Sequence, residues 1–317
     1  MLTRRDWLSL TLGTGAALAL DRAHLMAQQP MLMRAIPSSN ERVPIVGLGS
    51  SATFAQVARA ADVTALRDVF KTLIGEGGTV FDTAPGYGAS EEVSGQIAAE
   101  LGLTDRIFWA TKVNVAQGRG GGGGADPGAA RKQIDQSFAR IKKAKIDLIQ
   151  VHNLGDVPTQ LAILKEIKKQ GRIKYIGVTT TFDQQYQQII DIMRKEPLDF
   201  IGVDYAIDAR EVEETILPLA QERKIGVLAY QPFGRTRLWN RVGTTPLPDY
   251  AKEFDATTWA QFFIKFVASH PAVTVVTPAT SQAKNMADNL GGGRGRLPDA
   301  AMRKRMIATV DALPAAR

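Results

Sequence analysis

From residue 44 to residue 289, short β-rich runs take turns with apolar-periodic helical segments, and this alternation constrains the fold more than any other feature. The strand-like runs fall at 44–48, 79–82, 107–111, 147–151, 173–178, 200–205, 226–230 and 274–277. The helical segments between and after them fall at 63–74, 91–101, 129–141, 159–170, 183–194, 212–223, 257–269 and 281–289. Spacing at i, i+3 and i+4 is explicit in Leu161, Leu164 and Ile167, and again in Ile189, Ile192 and Met193. Asp183 and Ser281 stand where helix N-caps belong. Strands alternating with helices imply a parallel sheet. Eight such units in one chain of this length predict a closed (β/α)8 TIM barrel spanning 31–317 as a single domain. A doubly wound open sheet is the alternative. It is disfavoured because the stretch after the first strand, Gly47 to Ala52, breaks the G-x-G-x-x-G pattern.

Two glycine-rich stretches interrupt the alternation, Gly118 to Gly124 and Gly291 to Gly295. Glycine runs are entropically costly to order, so both are expected to be mobile loops. The first follows a strand, where a loop over a pocket and a passive linker are both open readings.

The opening segment stands apart. Arg4-Arg5 precedes a mostly apolar run from Ser9 to Leu20, too short for a spanning helix of about 20 residues. Paired arginines before such a run resemble a twin-arginine export signal over 1–27, and the alternative is an amphipathic helix with an accidental arginine pair. The signal implies a periplasmic protein, the twin-arginine export machinery as a partner, and no stable membrane anchor.

Zero cysteines exclude disulfides, thiolate nucleophiles and Cys-ligated metals. The net charge of +7 is scattered along helices without an aromatic-interleaved basic stripe, which disfavours nucleic acid as a partner. The three histidines are far apart in the chain, so no His-rich metal site is expected.

In parallel α/β folds the ligand lies at the carboxyl ends of the strands. Asp82, Tyr87, Lys112 and His152 each end or closely follow a strand-like run. A carboxylate, a phenol, an ammonium and an imidazole can together deliver a proton to a carbonyl oxygen. A free tyrosine has a pKa of about 10, and a nearby ammonium stabilises its phenolate. Singly, each residue has a plainer reading: a turn cap, a rim aromatic, a surface lysine, a hydrogen-bonded core histidine. Jointly, in order and at strand ends, they read as a site.

The stretch Phe81-Asp82-Thr83-Ala84-Pro85-Gly86-Tyr87-Gly88, then Ala110-Thr111-Lys112, then Asp147 to Asn153, then Gln170 to Thr179, resembles the aldo-keto reductase family in the same order. The resemblance runs from about Val43 to Asn289. It implies an oxidoreductase that interconverts aldehydes or ketones and alcohols with a nicotinamide cofactor. Tyr87 would be the general acid and base, Lys112 would tune it, Asp82 would anchor Lys112, and His152 would orient the substrate oxygen. The alternative is a nucleotide- or ligand-binding barrel without turnover. The resemblance also implies cofactor contacts. Thr179 and Thr180 fall at the carboxamide, Tyr230 at the nicotinamide face, and Gln231, Pro232, Phe233, Gly234 and Arg235 in the pyrophosphate loop, with Arg237 able to add charge. Thr280, Ser281, Lys284 and Asn289 fall at the adenosine phosphate. The chain departs from the family at Gly202, where a glutamine is usual, and at Ala279 and Asn285, where some members carry cations. Lys284 or an arginine of the glycine-rich tail would have to substitute. NADP(H) is favoured, with NAD(H) as the alternative.

Overall fold

A computed structural model describes residues 29–117 and 123–314. The export-signal reading over 1–27 and most of the first glycine-rich stretch lie outside the described residues. A small antiparallel hairpin comes first, β1 (Met33–Ala35) with β2 (Arg42–Pro44). Eight parallel strands follow: β3 (Leu48–Gly49), β4 (Val80–Asp82), β5 (Phe108–Val113), β6 (Ile146–Val151), β7 (Ile173–Thr180), β8 (Phe200–Asp204), β9 (Gly226–Tyr230) and β10 (Val275–Val276). Each pairs with its sequence neighbour in parallel register. Bridges between Val46 and Val276 and between Gly49 and Ala279 join the first strand to the last, so the sheet closes. The Gly47 amide donates to the Val276 carbonyl at 2.9 Å and the Gly49 amide to Pro278 at 2.9 Å. The predicted (β/α)8 barrel is therefore present.

The period-two geometry of a strand sorts its residues into two cores. Val80, Phe108, Ala110, Leu148, Tyr175, Phe200, Leu228 and Val275 fill the barrel interior, together with Ile36 and Val43 from the hairpin region. Their neighbours Phe81, Trp109, Ile149, Ile176, Ile201, Val227 and Val276 point outward, into the layer beneath the helices. Phe81 meets Trp109 edge to face at 5.3 Å and Phe70 at 5.0 Å, tying sheet to helix Thr64–Gly75. The hairpin seals the floor: the Tyr175 hydroxyl donates to Glu41 at 2.5 Å and pairs with Ser39 at 2.6 Å.

Several local expectations are corrected. Asp183 begins a 3-10 turn, Asp183–Gln185, rather than capping helix Tyr186–Lys195, and Ser281 lies before Gln282, which precedes helix Ala283–Gly291 without a side-chain cap. The side-chain caps are Asp126, Asp156, Thr258 and Asp299. The predicted first strand at 44–48 is divided, because Pro44 ends the hairpin and the barrel strand begins at Leu48. The second glycine-rich stretch is not a mobile loop. Arg294 within it is buried and donates to the Glu76 carbonyl at 2.6 Å and to Glu76 Oε2 at 3.0 Å. A Cβ on Gly292 would lie 2.7 Å from Ile264, and one on Gly293 would lie 2.6 Å from Met31. These glycines permit close packing.

Gly95 in helix Ser90–Glu100 shows the same principle at a helix–helix contact, since a Cβ there would sit 1.9 Å from the Arg140 carbonyl oxygen. Gly95→Ala is expected to lower unfolding free energy by about 1–3 kcal/mol, as overpacking does. Gly75→Ala, where nothing lies within 4 Å of the added carbon, is expected to be neutral or stabilising by about 0.5 kcal/mol. Urea titration of the two variants checks both.

Candidate active site

The outward–inward alternation decides which residues reach the open end of the barrel. Val80 faces in and Phe81 out, so Asp82 faces in; Ala110 and then Lys112 face in on β5. Lys112 Nζ donates to Asp82 Oδ2 at 2.7 Å and to the Thr83 carbonyl at 2.8 Å. The two residues are 1% and 3% exposed, so this ion pair is shielded from solvent. Tyr87 is brought back over the pair by the loop after β4. Its amide donates to the Ala84 carbonyl at 3.0 Å, and its ring centroid lies 5.0 Å from Lys112 Nζ. The His152 ring stands edge to face with Tyr87 at 5.8 Å.

A tight turn holds His152. Asn153, Leu154 and Asp156 all have positive φ, at 52°, 52° and 36°. Non-glycine residues reach this region at a cost that surrounding contacts must offset. The Asn114 side-chain amide donates to the His152 carbonyl at 2.8 Å, and the Asn153 amide to Thr179 Oγ1 at 3.2 Å. Gly155 admits Asn114, whose Oδ1 would lie 2.3 Å from a Cβ at that position.

Burial dominates the electrostatics. It pushes the Asp82 carboxyl up, against the charge and hydrogen bond of Lys112. It opposes charge on Lys112, but Asp82 and Tyr87 outweigh it and hold the ammonium above its usual pKa. Burial raises Tyr87 as well; the Lys112 charge pulls it down and the Asp82 charge pushes it up. The sequence suggested a net lowering by lysine, whereas the net direction is upward, so Tyr87 is a protonated phenol at neutral pH. Burial, and then the Lys112 charge, lower His152 to about 3. Its imidazole is therefore neutral from pH 5 to pH 8. Imidazole nitrogen shifts of His152 are expected to stay flat across that range, and a titration near the ordinary value of about 6.5 would contradict this.

These residues line a cavity of about 550 Å³. Its walls include Asp82, Tyr87, Lys112, His152, Thr179, Tyr230, Gln231, Pro232, Phe233, Arg235, Thr280 and Ser281. Four expected cofactor residues do not line it. Thr180 falls on the outward face of β7, where its hydroxyl donates to Gln185 at 2.5 Å. Gly234 is buried within the loop, Lys284 is exposed on its helix, and Asn289 is buried one turn beyond Asn285, which does line the cavity. The arginines of the glycine-rich tail offered as substitutes, and Arg237 offered as added charge at the pyrophosphate loop, are engaged elsewhere. Arg294 bonds Glu76, Arg296 forks onto Asp255, and Arg237 forks onto Asp208 at 2.8 and 3.1 Å. Around Thr280, Ser281, Gln282 and Asn285 the lining is neutral.

Sequence reasoning missed Ser51, Ala52, Asn153 and Thr181 in the lining. Thr181 was findable, since it follows the inward Thr179 at period two. Among the described residues no group of three or more His, Asp or Glu could hold a metal, and no helix is long and apolar enough to cross a membrane.

A profile of the Aldo/keto reductase family matches residues 45–306. The chain belongs to that family. The aldo-keto reductase YhdN of Bacillus subtilis is 30% identical over 208 residues, which cover 62% of this chain and 60% of YhdN. The match thus spans less than two thirds of that relative. Among solved structures, an aldo-keto reductase from Klebsiella pneumoniae in complex with NADPH superposes with a TM-score of 0.71 at 22% identity, covering 91% of this chain and 97% of the other. The glycerol dehydrogenase AKR11B4 of Gluconobacter oxydans gives 0.70 at 20%, covering 88% and 95%. These two share the fold of this aldo/keto reductase family member.

Proposed function

We propose that this chain interconverts a carbonyl and an alcohol by hydride transfer with NADP(H). The observation that carries the reading is the buried Lys112–Asp82 pair beneath Tyr87, with His152 beside it, all opening on one cavity. Small aldehydes and ketones, or their alcohols, are the proposed substrates. The cavity runs from this set to Thr280 and Asn285, with the β9 loop along it, which suits an elongated dinucleotide. Thr179, Tyr230, Gln231 to Phe233 and Arg235 would hold the nicotinamide and phosphates, and Thr280 and Ser281 the adenosine end. NADP(H) is favoured because a structurally similar Klebsiella pneumoniae protein was solved with NADPH.

Bound there, the cofactor supplies or accepts the hydride at carbon. The chain's residues handle the proton. In reduction the Tyr87 hydroxyl gives its proton to the carbonyl oxygen, and the phenolate left behind faces the Lys112 ammonium. Asp82 keeps that ammonium in place by a charge-assisted hydrogen bond. His152, neutral, donates N–H to the substrate oxygen and fixes its orientation. In oxidation the proton returns to Tyr87.

The test is NADPH consumption with a panel of aldehydes and ketones. Turnover of at least one is expected. Tight NADPH binding with no turnover of any would replace this reading by a ligand-binding barrel. We also propose that the protein works in the periplasm after twin-arginine export, supported by Arg4-Arg5 and the apolar run behind them. That route carries folded proteins, so the enzyme would take up its nucleotide before leaving the cytoplasm. An Arg4→Lys, Arg5→Lys double variant is expected to remain in the cytoplasm on cell fractionation; wild-type protein found only in the cytoplasm would overturn the location.

A further inference from the structure

Gly202 is an inward position on β8, two residues after the inward Phe200, and lies against the inward Tyr230 at the end of β9. A Cβ on Gly202 would lie 2.4 Å from Tyr230 Cε2 and 2.5 Å from its hydroxyl oxygen. The phenol ring therefore rests directly on the Gly202 backbone, in space that any other residue would fill. Seated there, the ring reaches the catalytic carboxylate. The Tyr230 hydroxyl donates to Asp82 Oδ1 at 3.2 Å and accepts from Gln150 Nε2 at 3.1 Å. Lys112 takes the other carboxylate oxygen, and its ammonium lies 5.2 Å from the Tyr230 ring and 5.0 Å from the Tyr87 ring.

We propose that Gly202, Tyr230 and Gln150 form a positioning unit for the proton-transfer pair, in which the Tyr230 hydroxyl sets how much of the Asp82 charge is felt at Lys112 and Tyr87. The proposal rests on Tyr87 being the proton donor of the reaction. Gln150 is fully buried, and its own carbonyl oxygen has no partner among the described residues. A buried amide with an unmet acceptor is costly, and an aliphatic side chain would pack there without that cost. Among the described residues the bond to Tyr230 is the one hydrogen bond the Gln150 side chain makes, and it has a directional effect. With an N–H donated into its oxygen, the Tyr230 hydroxyl is left to aim its proton at Asp82. Donation to Oδ1 draws charge from the carboxylate. The Asp82 charge makes Tyr87 harder to ionise and the Lys112 charge makes it easier. The unit weakens the first influence and leaves the second, so it favours proton release from Tyr87.

The test is the pH dependence of kcat in both directions for wild type, Tyr230→Phe and Gln150→Leu. Loss of the hydrogen bond to Asp82 raises the Tyr87 pKa. In reduction Tyr87 acts protonated, so the alkaline loss of activity is expected to move up by about half to one pH unit in Tyr230→Phe. In oxidation Tyr87 acts deprotonated, so the rate on the acid side of the midpoint is expected to fall about three- to tenfold. Gln150→Leu is expected to move both limbs the same way by less, and decides the matter if Tyr230→Phe does not fold. A residue that merely packs would lower kcat equally at every pH. Unmoved midpoints, or a downward move, would overturn the proposal while leaving the reaction itself intact. If wild type turns nothing over, alkaline titration of 13Cζ-labelled Tyr87 in folded protein replaces kinetics. Less ionisation of Tyr87 in the variants at a given pH then supports the unit although the proposed reaction has failed; equal ionisation overturns the unit too.

Discussion

Tyr87→Phe is expected to lower carbonyl reduction by at least about 10²–10⁴-fold, the usual contribution of a positioned general acid. The substitution removes one oxygen and leaves the ring that stands against His152 and Lys112. No other side chain in the lining offers a proton from the same place. Tyr230 has a hydroxyl, but it is spent on Asp82. His152 is neutral down to about pH 3 and so is a weak proton source at neutral pH. The loss should fall on kcat, with NADPH binding by fluorescence titration retained. A variant that keeps a tenth or more of wild-type turnover would remove Tyr87 from the proton step.

The second large effect is on stability. Lys112→Met is expected to lower unfolding free energy by about 3–5 kcal/mol, because it strands a buried carboxylate. Asp82 would keep the Tyr230 donor but lose its only ionic partner among the described residues. The double variant Lys112→Met, Asp82→Asn removes the uncompensated charge and should regain much of that loss while staying inactive. Chemical denaturation of the two variants separates them. Equal stability of the single and double variants would show that the pair's burial is not what makes it costly to break. Carboxylate burial also fixes the sign of the pH effect. Asp82 in the single variant would protonate more readily than a free side chain, so the deficit should shrink as pH falls towards 5.

The candidate site was legible because it follows a rule of strands. Apolar residues alternate inward and outward, and the polar residue at the end of each run inherits an inward position, as with Asp82, Lys112 and His152. Tyr87 required a loop, and only the resemblance of 81–88 to a known pattern gave it. The rest was hidden for physical reasons. The floor hairpin has strands of three residues, too short for alternation to register. Gln150 sits inside an apolar run, and sequence shows a strand there, not the phenol it meets across the barrel. Gly202 read as a lost cofactor contact, since absence of a side chain says nothing about which neighbour fills the space. Glycine also misled at Gly291 to Gly295, where chain flexibility and close packing demand the same residue.

The barrel's closure is narrowest where β3 and β10 meet, two strands of two residues each. Gly49, Ser51, Ala52 and Thr53 line the cavity on one side of that seam, and Thr277, Ala279 and Thr280 line it on the other. A molecule bound along this wall would span the joint like a staple. The first and last strands, far apart in the chain, would then separate only after it departs. Amide hydrogen exchange at Gly47, Gly49 and Val276 should slow on nucleotide addition far more than exchange in the long β6–β7 pairing, and the gain should grow with the logarithm of ligand concentration.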